Sequence, residues 1–216
     1  MSYQSRYLRR LVRIPEILLE AVISRLPNMA FLEQTRGTQT PIRFRDWLRQ
    51  EVFGINRGPY WPVHGSSRIV NWRNVLAGVE TSPGSMPGCY IQAIGKIRIG
   101  DYTQIGPNVN IISANHRVED LREHEPQEVT IGRYCWLGAG STVLPGVTLG
   151  DFTIVGAGSV VTKSFPDGYA VIAGNPARMI RTLNPADCLE HRSEHEYHGF
   201  VRADDFEGFR REELDV

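Results

Sequence analysis

His116 closes the run Ser113-Ala114-Asn115-His116, and fourteen highly charged residues, RVEDLREHEPQEVT, follow it directly. An imidazole titrates near neutrality, so a histidine at the mouth of such a loop suits a general base. Asn115, Glu119 and Asp120 are close enough in sequence to orient the ring, and a backbone carbonyl would serve equally. Other groupings carry less chemistry. His191, His195 and His198 recur at helical spacing beside Glu194, a possible metal clamp, but a single residue separates Glu196 from His198, so no HExxH is formed. The expectation for them is a solvated tail. Cys89, Cys135 and Cys188 are an odd count without CxxC spacing and fit neither a disulfide framework nor a zinc site.

A base needs a rigid element to hold it, and here the period of the aliphatic residues supplies one. Ile131, Leu137, Val143, Leu149, Val155 and Val161 recur every six positions, with Cys135, Ser141, Val147, Thr153 and Ser159 four residues after each of the first five. A second register runs through Val63, Ile69 and Val75, weakly through Thr81, Pro87 and Ala93, then through Ile99, Ile105 and Ile111. A period of six is neither helical nor simply alternating; it suits a triangular coil whose three flat faces each bury one aliphatic and one small side chain. Glycine follows the aliphatic at Gly100, Gly106, Gly132, Gly138, Gly150 and Gly156, where a bend without a Cβ is expected. The two registers are out of phase by residues 117 to 130, which must leave the coil as a loop. An excursion from so regular a scaffold is usually functional.

The chain has 216 residues, with 24 Lys plus Arg against 24 Asp plus Glu, so no chain-wide field draws it to nucleic acid. The expected organisation is a helical cap over residues 1 to 60, a coil over 61 to 181 with the loop at 117 to 130, and a polar, acidic tail of little order over 182 to 216. In the cap, Tyr7, Leu8, Leu11, Val12, Leu18, Leu19, Val22 and Leu26 have helical spacing broken by Pro15. A further helix is expected from Thr40 as N-cap with Pro41 in its first turn. These helices are expected to cover the open end of the stack. Arg6, Arg10 and Arg13 share one helical face and Leu8, Leu11 and Val12 another, so peripheral membrane contact is a second expectation. The apolar stretch from Ile17 to Ile23 is interrupted by Glu20 and too short for a secretory core, and a cytoplasmic location is expected.

The run IGDYTQIGPNVNIISANH, and after the loop IGRYCWLGAGSTVLPGVTLGDFTIVGAGSVVTKSFPDGYAVIAGNPARMIR, resembles the hexapeptide-repeat acyltransferases, the superfamily of maltose, galactoside, serine and xenobiotic acetyltransferases. The resemblance covers roughly residues 60 to 181. It implies a mainly β fold, a left-handed parallel β-helix, assembled as a homotrimer with acetyl-CoA as co-substrate bound between neighbouring coils. His116 matches the family's catalytic histidine. For the donor the resemblance points to Trp136, Gly138, Ala139, Gly156, Ala157, Thr162, Lys163, Arg178 and Arg181. Small residues would let the backbone approach the pantetheine and offer its amides, while Lys and Arg would meet the phosphates. Asn115, Tyr90 and Asp120 are the candidates for holding the acceptor.

On the acceptor side the family pattern is not kept. Galactoside and maltose enzymes carry carboxylates in the coil before the catalytic one, whereas this chain has PGCYIQAIGK. The helical front and the short charged loop look more like acyltransferases of bacterial surface-polysaccharide assembly, which implies acetyl transfer to a hydroxyl, or less readily an amine, of a carbohydrate. Two other readings stand beside this one: a non-catalytic scaffold on the same coil, or a metal-dependent hydratase. The hydratase needs three histidines from adjacent coils, and the repeats hold only His64 and His116, with His124 in the loop, so no metal site is expected. Counting around the triangle sets Trp136 and His116 at opposite ends of one six-residue face, roughly 16 to 20 Å apart. A site using both would therefore be built from two chains.

Overall fold

The computed structural model describes residues 22–26 and 29–216. The helical spacing read over Tyr7 to Leu19 and the basic face of Arg6, Arg10 and Arg13 lie outside the described residues. From Arg68 onward the chain winds as a left-handed parallel β-helix with three faces. The first face stacks β1 (Arg68–Val70), β3 (Tyr90–Gln92), β6 (Asn110–Ile112), β11 (Thr142–Val143) and β14 (Val160–Val161). On the second lie β2 (Val75–Ala77), β4 (Ile97–Ile99), β9 (Val129–Ile131) and β12 (Thr148–Leu149). The third holds β5 (Gln104–Ile105), β10 (Trp136–Leu137), β13 (Thr153–Val155) and β15 (Ala170–Gly174), with β16 (Ala177–Thr182) added antiparallel at its end.

The six-residue period is the cause of this winding. Leu137 stacks on Val155, Val143 on Val161 and Ile131 on Leu149, each pair eighteen residues or one full coil apart. These aliphatics are buried in one core with Ile91, Ile97, Ile111 and Ile172, and each such side chain contributes about 1.5–3 kcal/mol by leaving water. The small positions fill the corners. Thr103 Oγ1 donates to the Gly132 carbonyl and accepts from the Cys135 amide, and burial pushes the Cys135 thiol up to about 11, so it is an inert core group. Ile111 pairs with Val143 thirty-two residues on, which sets fourteen residues outside the coil as the phase break requires.

Four expectations change. The early register slips: Ile69 pairs with Ile91 and Val75 with Ile97, twenty-two residues apart, because Ser82 to Ser85 make an extra turn and Thr81 and Pro87 are not strand positions. The glycines after the aliphatics are required by close stacking rather than by bending. A Cβ on Gly138 would lie 2.7 Å from the Ala157 nitrogen, and one on Gly132 2.5 Å from the Asp151 nitrogen. The left-handed backbone at one corner is instead taken by Tyr102, Tyr134, Phe152 and Tyr169, whose rings stack 5.3, 4.9 and 5.2 Å apart. No helix starts at Thr40. Ile42 is buried with Phe31, Leu32 and Tyr197, and its amide donates to Thr35 Oγ1, so the chain stays extended until α2 (Phe44–Trp47), beyond α1 (Phe31–Gln34). A π-helical turn, Leu48–Val52, then turns Gln50 inward.

The fourth change is the tail, which is folded and docked. It runs back beside the aromatic corner, where His191 packs on Tyr102 and Tyr134 and the Tyr134 hydroxyl donates to the His191 carbonyl. The buried Glu80 carboxylate accepts from the Gln39 amide and from the Ser193 hydroxyl, tying both chain ends to the coil. A hairpin of β17 (Tyr197–His198) and β18 (Val201–Arg202) leads into α3 (Ala203–Glu213), which sets Phe206 and Phe209 against Tyr60. The first coil is thus covered by the C-terminal helix, because apolar residues hidden in an acidic segment find an aromatic partner only in three dimensions. His191, His195 and His198 are not on a helix. Among the described residues no helix is long and apolar enough to cross a membrane.

His198 makes this docking pH-sensitive. Its ring stacks on Phe206 at 3.7 Å, its Nδ1 bonds the Ala77 carbonyl, and burial lowers its pKa from 6.5 against the opposing pull of Ala77, Asp101, Glu196 and Glu207. Below about pH 6.5 the unfolded chain binds the proton more readily than the folded one, so stability falls with acidification. Melting temperatures measured between pH 8 and pH 5 should fall less in His198→Phe than in the parent. Equal slopes would remove His198 as the cause.

Candidate active site

The loop after β6 is a hairpin. β7 (Ala114–His116) pairs antiparallel with β8 (His124–Pro126), setting His116 opposite His124 with ring centroids 4.3 Å apart. Its charged sequence folds on itself: Arg117 meets Glu123 at 2.9 Å and Glu125 at 3.6 Å, and Arg122 holds Asp120 at 2.7 Å. Such exposed pairs are worth little individually and serve to shape the turn. Ser113 anchors its base: its Oγ, with one proton to donate, lies 2.8 Å from the Gln92 carbonyl and 2.9 Å from the Gly95 carbonyl, and it accepts from the Gly95 amide.

His116 is exposed, and its Nδ1 lies 2.6 Å from the Leu121 carbonyl. A carbonyl only accepts, so Nδ1 carries the proton and Nε2 presents its lone pair. Among the orienting groups the sequence leaves open, the backbone carbonyl is the one in contact. Asp120 turns to the Arg122 guanidinium, whose hydrogen bonds hold its carboxyl below the usual carboxylate range. Asn115 is exposed beside His116, across from Glu125. Tyr90 is half-buried on β3, the neighbour of the strand that leads into His116. His124 is the partner that sequence reasoning missed, and only the hairpin register shows that the carbonyl at the ring is that of Leu121.

The residues assigned to the donor gather on the third face and the corner beyond it. Trp136, 55% exposed, opens β10 between Gln104 and Ile154. Ala139 and Ala157 are exposed at the next corner, two residues beyond Leu137 and Val155, with which β10 and β13 end. Their amides donate no hydrogen bond among the described residues, while those of Gly138 and Gly156 are spent on the Val155 and Ile172 carbonyls. The corner is bare: a Cβ on Gly140 or Gly158 would meet nothing within 4 Å. Thr162 and Lys163 follow β14 on the exterior, with Lys163 Nζ 5.5 Å from the Phe165 ring centroid. Arg178 and Arg181 are exposed on β16, opposite Ala173 and Val171. They lie outside the coil period, because the chain reverses after β15 and β16 pairs with it antiparallel. His116 precedes the second face and Trp136 follows it, so a full face separates them within one chain.

A family profile described as bacterial transferase hexapeptide (six repeats) matches residues 128–163. The chain is similar to nodulation protein L of Rhizobium meliloti (strain 1021), 50% identical over 97 residues that make up 42% of this chain and 51% of that protein. It is also similar to the galactoside O-acetyltransferase of Lactococcus lactis subsp. lactis (strain IL1403), 44% identical over 95 residues covering 42% and 45% of the two chains. The chain thus spans about half the length of the curated relatives it matches. Among solved structures it is similar to a galactoside acetyltransferase in complex with coenzyme A, with a TM-score of 0.57, 26% identity, and coverage of 82% of this chain and 88% of that one. Coil register, matched repeat and these likenesses together show a left-handed β-helix built of hexapeptide repeats, similar to the acetyltransferases that share this fold.

Proposed function

We propose that the chain is an acetyl-CoA-dependent acetyltransferase that acylates a hydroxyl of a carbohydrate acceptor in bacterial surface-polysaccharide assembly, with His116 as general base. The observation that carries this reading is the His116 ring, whose Nδ1 is committed to the Leu121 carbonyl while Nε2 has no hydrogen-bond partner among the described residues at an exposed loop mouth. The acceptor hydroxyl gives its proton to Nε2 as its oxygen attacks the thioester carbon. The tetrahedral intermediate then collapses with cleavage of the C–S bond, and the imidazolium returns the proton to the departing sulfur. Nodulation protein L and the galactoside O-acetyltransferase support a sugar acceptor, and the acetyltransferase with coenzyme A bound supports the donor.

Donor binding follows from the bare corner. Pantetheine lies along it against Trp136 and takes hydrogen bonds from the Ala139 and Ala157 amides, and Thr162, Lys163, Arg178 and Arg181 meet the ribose and its phosphates. Gly138 and Gly156 act by keeping the coils close enough for that corner to stay flat. Because a whole face separates His116 from Trp136, a site using both takes His116 from one subunit and the third-face corner from the next, in a homotrimer. Acetyl-CoA sets the reaction in the cytoplasm, and peripheral membrane contact through the basic N-terminal segment would bring it to a lipid-linked acceptor.

Titration with coenzyme A tests the donor site: at a hundredfold excess over Kd it should stabilise the fold by about 2.7 kcal/mol, whereas a scaffold would not respond. Shared sites are tested by refolding His116→Ala chains together with Trp136→Ala Arg178→Ala chains. Mixed trimers should regain activity that neither parent has, and mixed trimers without activity would sink the two-chain site.

A further inference from the structure

A groove of about 580 Å³ lies between the third face of the coil, where Gln104 and Trp136 line it, and the segment from Gln39 to Arg49. This is a common size for a small-ligand site and leaves room for more than one sugar ring. Its charge is one-sided in a chain whose formal net charge is zero. Arg43, Arg45 and Arg49 line it, with Asp46 as the sole acid in its wall among the described residues. Asp46 is shared at long range, 3.6 Å from Arg45 and 3.8 Å from Arg49, and Arg43 has no acidic partner among the described residues.

Two further groups in the wall are donors. The His64 Nδ1 accepts from the Ser66 amide at 3.1 Å, which leaves Nε2 as the nitrogen that carries the proton of the neutral ring. Gln104 pairs with Trp136 across the third face, and its side-chain nitrogen is buried with no hydrogen-bond partner among the described residues. A groove walled by guanidinium groups and unspent N–H donors fits an oxyanion, because guanidinium groups bind carboxylate and phosphate through paired, charge-assisted hydrogen bonds.

We infer that this groove is the acceptor subsite and that the acceptor is a saccharide carrying a carboxylate or phosphate, anchored by Arg43 and Arg49 with a hydroxyl held beside Trp136. The inference rests on the acetyl-transfer reading for the word acceptor, and on the groove alone for the choice of an anionic sugar. The PGCYIQAIGK stretch agrees, since it supplies no carboxylate to hold the hydroxyls of a neutral sugar.

Isothermal titration of the full chain, without acetyl-CoA, with glucose, glucuronate and glucose 6-phosphate tests the inference. At least one charged sugar should bind tenfold or more tightly than glucose. Arg43→Gln Arg49→Gln should abolish that preference, while an Arg211→Gln control keeps it and both variants melt and bind coenzyme A as the parent does. Preference for glucuronate alone would assign a uronic-acid glycan, and preference for glucose 6-phosphate alone a phosphorylated sugar. Equal binding of glucose, no binding of either charged sugar, or an unchanged preference in the double variant would overturn the inference. Coenzyme A binding and acetyl transfer that persist under any of these outcomes leave the transferase reading standing. A charged sugar that binds through the arginines but is never acetylated sinks that reading and keeps the anion site.

Discussion

His116→Ala should lower turnover by ~10²-fold or more while leaving coenzyme A affinity close to that of the parent. The affinity should hold because the ring touches the loop, Leu121 and His124, and is separated by a whole face from the donor corner of its own chain. Turnover falls because, at neutral pH, water is a far weaker base toward a sugar hydroxyl than an imidazole held at Nδ1 by a carbonyl. A His116→Gln variant keeps a donor for Leu121 without supplying a base, so it should be as slow as alanine. If either variant turns over at the parent rate, His116 is not the base. A variant that loses coenzyme A affinity as well would mean that the hairpin shapes the donor site.

Gln50→Leu should be the most destabilising single change outside the coil. Gln50 is 0% exposed, and its side-chain nitrogen donates to the Pro59 and Trp61 carbonyls at 2.7 and 3.0 Å while its oxygen accepts from the Val63 amide at 2.9 Å. Leucine fills nearly the same space and pairs none of the three. Each buried orphan costs about 1–3 kcal/mol, so a total of roughly 3–9 kcal/mol is expected, with a melting temperature lower by on the order of 10 °C or more. Chemical denaturation of the full chain measures it. A loss below about 1 kcal/mol would mean that the segment from Pro59 to Val63 finds other partners.

Gln50 also marks how far the amino-acid string could be read. Its chemistry is ordinary for a helix surface, and the period around Phe44, Trp47, Leu48 and Val52 points to a regular amphipathic turn. The chain widens into a π-helical turn because burying Gln50 satisfies three backbone groups at the start of the coil, a long-range gain that no local pattern records. Phe206 and Phe209 show the same limit. Spaced among six acidic residues in the last thirteen, they read as a solvated tail, yet they pack on Tyr60, nearly 150 residues earlier.

The coil itself was legible because its cause is local and repeated. An aliphatic every six residues can bury all of its members in one way only, by winding three flat faces around a common core, and the fourteen residues that break the period have nowhere to go but outward. His116 was legible for the same reason, as the last residue before that break. What orients its ring was not. The register of the hairpin brings the Leu121 carbonyl to Nδ1 and turns Asp120 to Arg122, and both depend on backbone pairing across the loop rather than on residue type. The arginine groove is a tertiary product as well: Arg43, Arg45 and Arg49 line one groove with Trp136 and Gln104 only because Ile42, Gln50 and Glu80 hold the N-terminal segment against the coil. Repetition along the chain thus determined the coil, whereas contacts between distant segments set the groups around its candidate site.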